Sequence, residues 1–163
     1  MVIKKKIIKK QDYNGAVVLG LNDALVELSG ALVGLSFALA ETKIIGTVGL
    51  VTGFAAALSM AASEYLSAKE DNNKQPIKAA TYTGIAYILA VLILVTPYLL
   101  LSNLYLSTSI MFGLVILIIA SYTGYVSKVK KISFKKKFFE MFAITLSVSV
   151  ISFLFGTLVK NLV

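Results

Sequence analysis

The sequence predicts an all-α membrane protein: a bundle of five transmembrane helices with its N-terminus in the cytosol and its C-terminus outside. Three observations predict it. Of the 163 residues, 58% are hydrophobic, and the mean hydropathy is +0.85, well above the roughly 45–50% apolar usage of a soluble domain. The apolar residues gather into runs of about 20, the length of helix that crosses a hydrocarbon core. The lysines fall between those runs, almost all on one side.

Windows of about 19 residues place spans at Ala16–Ala40, Ile44–Leu66, Ala79–Leu101, Leu104–Val126 and Phe138–Val159, in one transmembrane domain covering residues 1–163. Apolar character is continuous in each rather than alternating, which fits helices that satisfy their own backbone in lipid and not barrel strands. The first span follows the basic stretch Met1-Val2-Ile3-Lys4-Lys5-Lys6. No small-residue cleavage site follows it, so the span is expected to stay in the mature protein. Gly30 and Gly34 in this span, and Gly49 and Gly53 in the second, form G-x-x-x-G pairs. Ala55-Ala56-Ala57 and Ala61-Ala62 extend the small face. Such faces let backbones approach, and they predict that spans one and two pack on each other. The third span contains Pro97, which is expected to bend it. Tyr13, Tyr65, Tyr105 and Tyr125 fall near span ends, where interfacial anchors sit.

The connectors sort by charge. Lys4, Lys5, Lys6, Lys9 and Lys10 precede span one. Lys69, Lys74 and Lys78 separate spans two and three, and Lys128, Lys130, Lys131, Lys135, Lys136 and Lys137 separate four and five. Only Lys43 and Lys160 of the sixteen lie on the other side, so the positive-inside rule sets the orientation. The net charge of +8 thus reflects topology and attraction to anionic lipid. No aromatic residues interleave the lysines as a base-stacking surface requires, so nucleic acid is not an expected partner. Without cysteine or histidine there is no thiolate or imidazole for zinc, haem or acid–base catalysis, and an enzyme is not expected.

The residues that carry chemistry are acids inside spans. Asp23, Glu27 and Glu64 lie at membrane depth, where carboxylates are costly and normally face a bundle interior or a water-filled path. Asp23 and Glu27 are four apart and share a helix face; Asn22 adds an amide oxygen and Ser29 a hydroxyl. At 1.5 Å per residue, Asp23 lies about 15 Å beyond Tyr13, and Met60 about 14 Å before Lys69 on the same side. Glu64 follows Met60 by one turn toward the cytosol. Carboxylate, amide and thioether together suit an ion such as Fe²⁺ or Mn²⁺ held loosely enough to leave. Carboxylates also bind protons, so metal-for-proton exchange follows naturally. The competing reading is that the acids only hydrogen-bond between helices and that Met60 fills space.

At these residues the chain resembles the vacuolar iron transporter family. The matching stretches are Gly20-Leu21-Asn22-Asp23-Ala24-Leu25-Val26-Glu27 and Ala57-Leu58-Ser59-Met60-Ala61-Ala62-Ser63-Glu64-Tyr65-Leu66-Ser67. The resemblance implies five spans that move ferrous or manganous ions out of the cytosol, and a metal path at a dimer interface lined by Asp23 and Met60. Glu64 matches a position that is acidic in many members, whereas Thr52 stands where plant-like members carry glutamate. The family's glutamate-rich cytosolic hairpin is replaced here by the ten-residue turn Lys69–Lys78, so a pore is implied but no cytosolic metal store.

The leading expectation is a homodimeric divalent-metal exporter coupled to protons. Its metal residues are Asp23, Glu27, Met60, Glu64 and Asn22. It has no tightly bound cofactor, Fe²⁺ or Mn²⁺ is its substrate, and it sits in the lipid bilayer of a prokaryotic plasma membrane. The alternative is a non-transporting membrane protein whose intramembrane acids and glycine faces bind a partner. A membrane-embedded enzyme ranks last, because no paired nucleophile and base is present.

Overall fold

A computed structural model describes residues 14–73 and 75–162. Lys4, Lys5, Lys6, Lys9, Lys10, Tyr13 and Lys74 lie outside the described residues. The described chain forms five long helices: α1 (Gly15–Ala38), α2 (Thr42–Glu70), α3 (Pro76–Leu100), α4 (Leu104–Lys130) and α5 (Phe134–Leu162). Each is long and apolar enough to cross a membrane, which fits an integral multi-pass membrane protein.

Local chemistry explains where the helices start and stop. Pro76 opens α3 at a position where its missing N–H costs nothing, and the Gln75 N–H before it donates to the Asn73 side chain at 2.8 Å. The Asn103 side chain caps α4 by accepting from the Leu106 N–H at 3.0 Å. Left-handed Lys131, at φ 53°, ends α4, and Asn72, at φ 54°, turns the chain after α2. At the end that carries the lysines, α2 to α5 run about one turn past the apolar windows. Long lysine stems cover apolar surface while their heads reach water, so a helix can continue beyond the hydrocarbon. Pro97 falls in the last turn of α3, and its carbonyl accepts from the Leu101 N–H and the Ser107 hydroxyl.

Helices α1 and α3 are the innermost pair. Leu25, Leu32, Tyr87, Leu94 and Tyr98 are fully buried between the elements, while α2, α4 and α5 turn side chains such as Val51, Leu117 and Phe155 outward. At the lysine end, Ala16, Ala68 and Ala79 meet, and the Thr83 hydroxyl donates to the Ala16 carbonyl at 3.0 Å. Three helix ends are thereby tied together by small residues and one hydrogen bond.

A single irregularity divides α1. Residues Ala24–Leu28 form a π-helical turn, and the Ser29 hydroxyl that closes it donates to the Leu25 carbonyl. A π turn takes in one extra residue, which turns everything beyond it by about 100° relative to an unbroken helix. In a straight helix Gly20 and Gly34 would lie within about 40° of each other around the axis; with the insertion they are about 140° apart. The packing follows that rotation. The half of α1 before the turn lies on α3, and the half after it lies on α5. At Gly20 an added Cβ would sit 2.2 Å from the Thr83 carbonyl oxygen, and at Gly34 it would sit 2.9 Å from that of Ser152.

The two glycine pairs therefore do not face each other, and only Gly49 packs span two on span one. Gly30 and Gly34 accommodate Val148 and Ser152 of α5, and Gly49 and Gly53 of α2 accommodate Leu32 and, on α3, Val95 and Val91. Periodicity identified both close-packing faces, but the pairing depends on a backbone insertion that leaves the apolar pattern intact. The crossing of α1 and α5 is as close as that of α1 and α3. A Cβ on Gly156 would meet the Gly34 carbonyl oxygen at 2.2 Å, whereas one on Gly113 would meet nothing within 4 Å.

Gly156→Ala is expected to lower stability by about 1–3 kcal/mol through forced helix separation, while Gly113→Ala in open space is neutral or stabilising by up to about 1 kcal/mol. Thermal unfolding of both in the same detergent checks this; equal melting temperatures would remove the crossing from the account.

Candidate functional site

The π turn carries the two carboxylates of the first span. Asp23 ends its regular first half and Glu27 lies within the turn. Their side chains stand within hydrogen-bonding reach of each other. Glu27 is also held from α3: the Tyr87 hydroxyl donates to its Oε2 at 3.0 Å, and Tyr87 is only 1% exposed. A buried tyrosine needs a partner for its hydroxyl, so Tyr87 and Glu27 fix each other's position.

The carboxyl groups look into different clefts. Asp23 lines one of about 420 Å³ with Asn22 and Val26 of α1 and Lys137, Met141 and Ile144 of α5. These residues belong to the lysine half of the molecule. Glu27 lines another of about 570 Å³ with Gly34, Ala38, Val48, Thr52 and Ser152, which belong to the other half. The clefts thus approach the acid pair from opposite ends. Few polar groups line the larger one. Thr52 stands across it from Glu27, with its hydroxyl engaged by the Val48 carbonyl at 2.8 Å.

Asn22 lies beside Asp23, hydrogen-bonded to Tyr122 of α4, and its Oδ1 is buried without a partner. Met60 and Glu64 lie on α2. Each is within about 20° of Gly53 around the helix axis at about 100° per residue, which turns both toward the bundle, and Met60 packs against the core. Neither lines the clefts that hold Asp23 and Glu27. Among the described residues no three acidic side chains converge as a metal-holding group does. Asp23 and Glu27 are thus the pair brought together, Asn22 adjoins them, and Met60 and Glu64 are a separate rung on the next helix. Two touching carboxylates in a low-dielectric setting repel strongly unless a cation or a proton lies between them, and a divalent ion balances both.

Sequence reasoning missed Tyr87 and the π turn. Nothing in the third span distinguishes Tyr87 from an interfacial anchor, since its role depends on a partner 60 residues earlier.

These features define an integral membrane protein with an acid pair whose two members line separate clefts. The VIT family model matches residues 14–75, the stretch holding both motifs of the resemblance, the acid pair and the Met60 and Glu64 rung. The members of that family are membrane metal-ion transporters, not enzymes. No curated protein and no solved structure matches the chain.

Tyr87→Phe is expected to cost about 1 kcal/mol by removing the bond to Glu27, whereas Glu27→Gln keeps an acceptor for Tyr87 and stays near wild type. Melting temperatures of the two variants test the pairing; a Glu27→Gln loss larger than that of Tyr87→Phe would contradict it.

Proposed function

We propose that the protein exports Fe²⁺ or Mn²⁺ from the cytosol in exchange for protons, as a homodimer in a prokaryotic plasma membrane. The observation that carries this reading is the placement of Asp23 and Glu27 between a cleft in the lysine half and a cleft in the other half. An ion entering beside Asp23 reaches Glu27 by crossing one π turn. With the lysine end in the cytosol, as the positive-inside rule requires, this direction is outward. Asn22 adds an amide oxygen at the entrance, and Met60 and Glu64 supply softer and harder donors from α2.

The dimer follows from an incomplete ligand set. A hard divalent ion takes six or more oxygen ligands, and one chain brings two carboxylates together. Glu27 is exposed on its cleft, and the neighbouring outer face of α2 offers Thr52, Ala55 and Ser59, all exposed. A second copy seated there covers Glu27 and doubles its carboxylates. Gly30 and Gly34 are taken up by α5, so substituting them disturbs the fold of each chain before it disturbs association. In the partner-binding alternative the same face docks another protein and no ion crosses.

Orientation is tested with single cysteines, which this chain makes simple by having none of its own. Ser133→Cys is expected to be labelled only from the cytosol and Asn103→Cys only from outside; the opposite pattern inverts the direction of transport.

Asp23→Asn in proteoliposomes tests the mechanism. A mid-membrane acid costs about 2.5–3.5 kcal/mol on insertion scales, so the variant is expected to insert and melt at the same or a higher temperature while Fe²⁺ and Mn²⁺ flux falls at least tenfold. Retained flux with lowered stability would assign Asp23 to helix packing and defeat the transport role.

A further inference from the structure

Many hydroxyls in this bundle bond back to their own helix. The exposed Thr47, Thr52, Thr81, Thr96, Ser121 and Ser147 all donate to the carbonyl four residues earlier, at 2.6–2.8 Å. That is what a hydroxyl on a helix does where no other acceptor exists. Buried Ser36 and Ser107 do the same, so burial alone does not prevent it. Thr123, Ser127, Thr145 and Ser149 do not: each has a buried oxygen with no partner.

These four share one location. Thr123 and Ser127 continue the inward ladder of Val115 and Ile119 on α4, and Thr145 and Ser149 continue that of Met141 on α5. Measured from the turn between these helices at 1.5 Å per residue, they run from about 5 Å to about 24 Å deep, most of a 30 Å hydrocarbon core. The two ends of the row meet open space. Near Ser127, a cleft of about 430 Å³ is lined by Tyr122, Val126, Lys130, Lys136, Lys137 and Glu140, and Asn22, whose buried oxygen has no partner, lines the same cleft. Beyond Ser149, Ser152 lines the cleft that holds Glu27.

An orphaned buried hydroxyl is costly, and four in one seam make a large and needless penalty when their own helices offer acceptors. Buried water removes that penalty if each molecule finds two to four polar partners. We propose that the seam between α1, α4 and α5 is hydrated and conducts protons from the lysine end of each chain to the Glu27 cleft, bypassing the Asp23–Glu27 pair. Along it a hydroxyl passes its proton to one water as it takes another from the water behind, so nothing is consumed. The charged groups at its mouth are Lys130, Lys136, Lys137 and Glu140, with Asp23 in the adjoining cleft. The proton role rests on the exchange reading above; the hydration does not.

The absence of native cysteine gives a direct test on the full chain in proteoliposomes. Thr145→Cys and Ser149→Cys, at sites 3% and 2% exposed, are treated with silver ion, and the thiols that remain are counted with a fluorescent maleimide after unfolding. Both are expected to react at least tenfold faster than Ala90→Cys, which is 1% exposed in the apolar core. Protection equal to that of Ala90→Cys would overturn the proposal. In a second arm, Thr145→Val and Ser149→Ala are expected to reduce Mn²⁺ uptake driven by a pH gradient at least fivefold, with Mn²⁺ affinity unchanged. Reactive thiols with undiminished uptake in these variants would overturn the proton role. Wild type that moves no metal would defeat the exchange reading and the proton role with it, while the thiol rates would still decide whether the seam is wet.

Discussion

Backbone polar groups in lipid have to be satisfied within the helix that carries them, which leaves a spanning helix few ways to change direction. Adding one residue to a turn is among the cheapest, because the hydrogen bonds shift from one partner to the next and are not lost. In α1 that addition falls at Ala24–Leu28, and most of the bundle depends on it. Without it, Gly20 and Gly34 would face the same neighbour. With it, the first half of α1 closes on the Thr83 backbone of α3 and the second on Ser152 and Gly156 of α5. The same turn places Asp23 on one side of the boundary and Glu27 on the other, so helix packing and the division of the acids between two clefts have a single cause.

The five helices were legible because hydrophobic length is a direct physical requirement of the bilayer, and in the four later helices each apolar run matches one element. The acid pair was legible for a related reason: a carboxylate in an apolar run contradicts its surroundings, and two of them four residues apart do so on one face. Which helix packs on which was not legible. Gly30 and Gly49 announce close approach equally well, and nothing local says that their partners are Val148 and Leu32. Tyr87 was hidden for the same reason. Its importance lies in one hydrogen bond to Glu27 across the bundle, and a tyrosine near a polar stretch is compatible with many other roles.

The two acids are held differently, and the difference has electrostatic content. Glu27 receives a hydroxyl donor from a buried residue of another helix, which fixes its orientation and disperses part of its charge. Asp23 faces Glu27 and a cleft whose far wall includes Lys137. That lysine is paired with Glu140 at 3.1 Å, so it does not offer Asp23 an undivided countercharge. The pair is thus anchored to α3 through Glu27, and Asp23 is held through Glu27. Under the transport reading proposed above, such an arrangement suits an ion that has to leave again, since a site that binds too tightly does not release.

The hydroxyl pattern bears on the same economy of polar groups. A serine or threonine in a spanning helix lowers its energy by bonding back to its own helix, and Thr47, Thr81, Thr96, Ser121 and Ser147 do so. Four interior hydroxyls without that bond are accounted for by a partner inside the bundle, because a χ1 change is a small energy beside an orphaned donor. Asn22 supports this reasoning independently. Its amide engages Tyr122 while its oxygen remains free, beside the cleft that opens at Lys130 and Lys136. Polar atoms contributed by three different helices, all turned away from their own backbones and toward one seam, are what a row of bound water requires and what a dry apolar interface would reject.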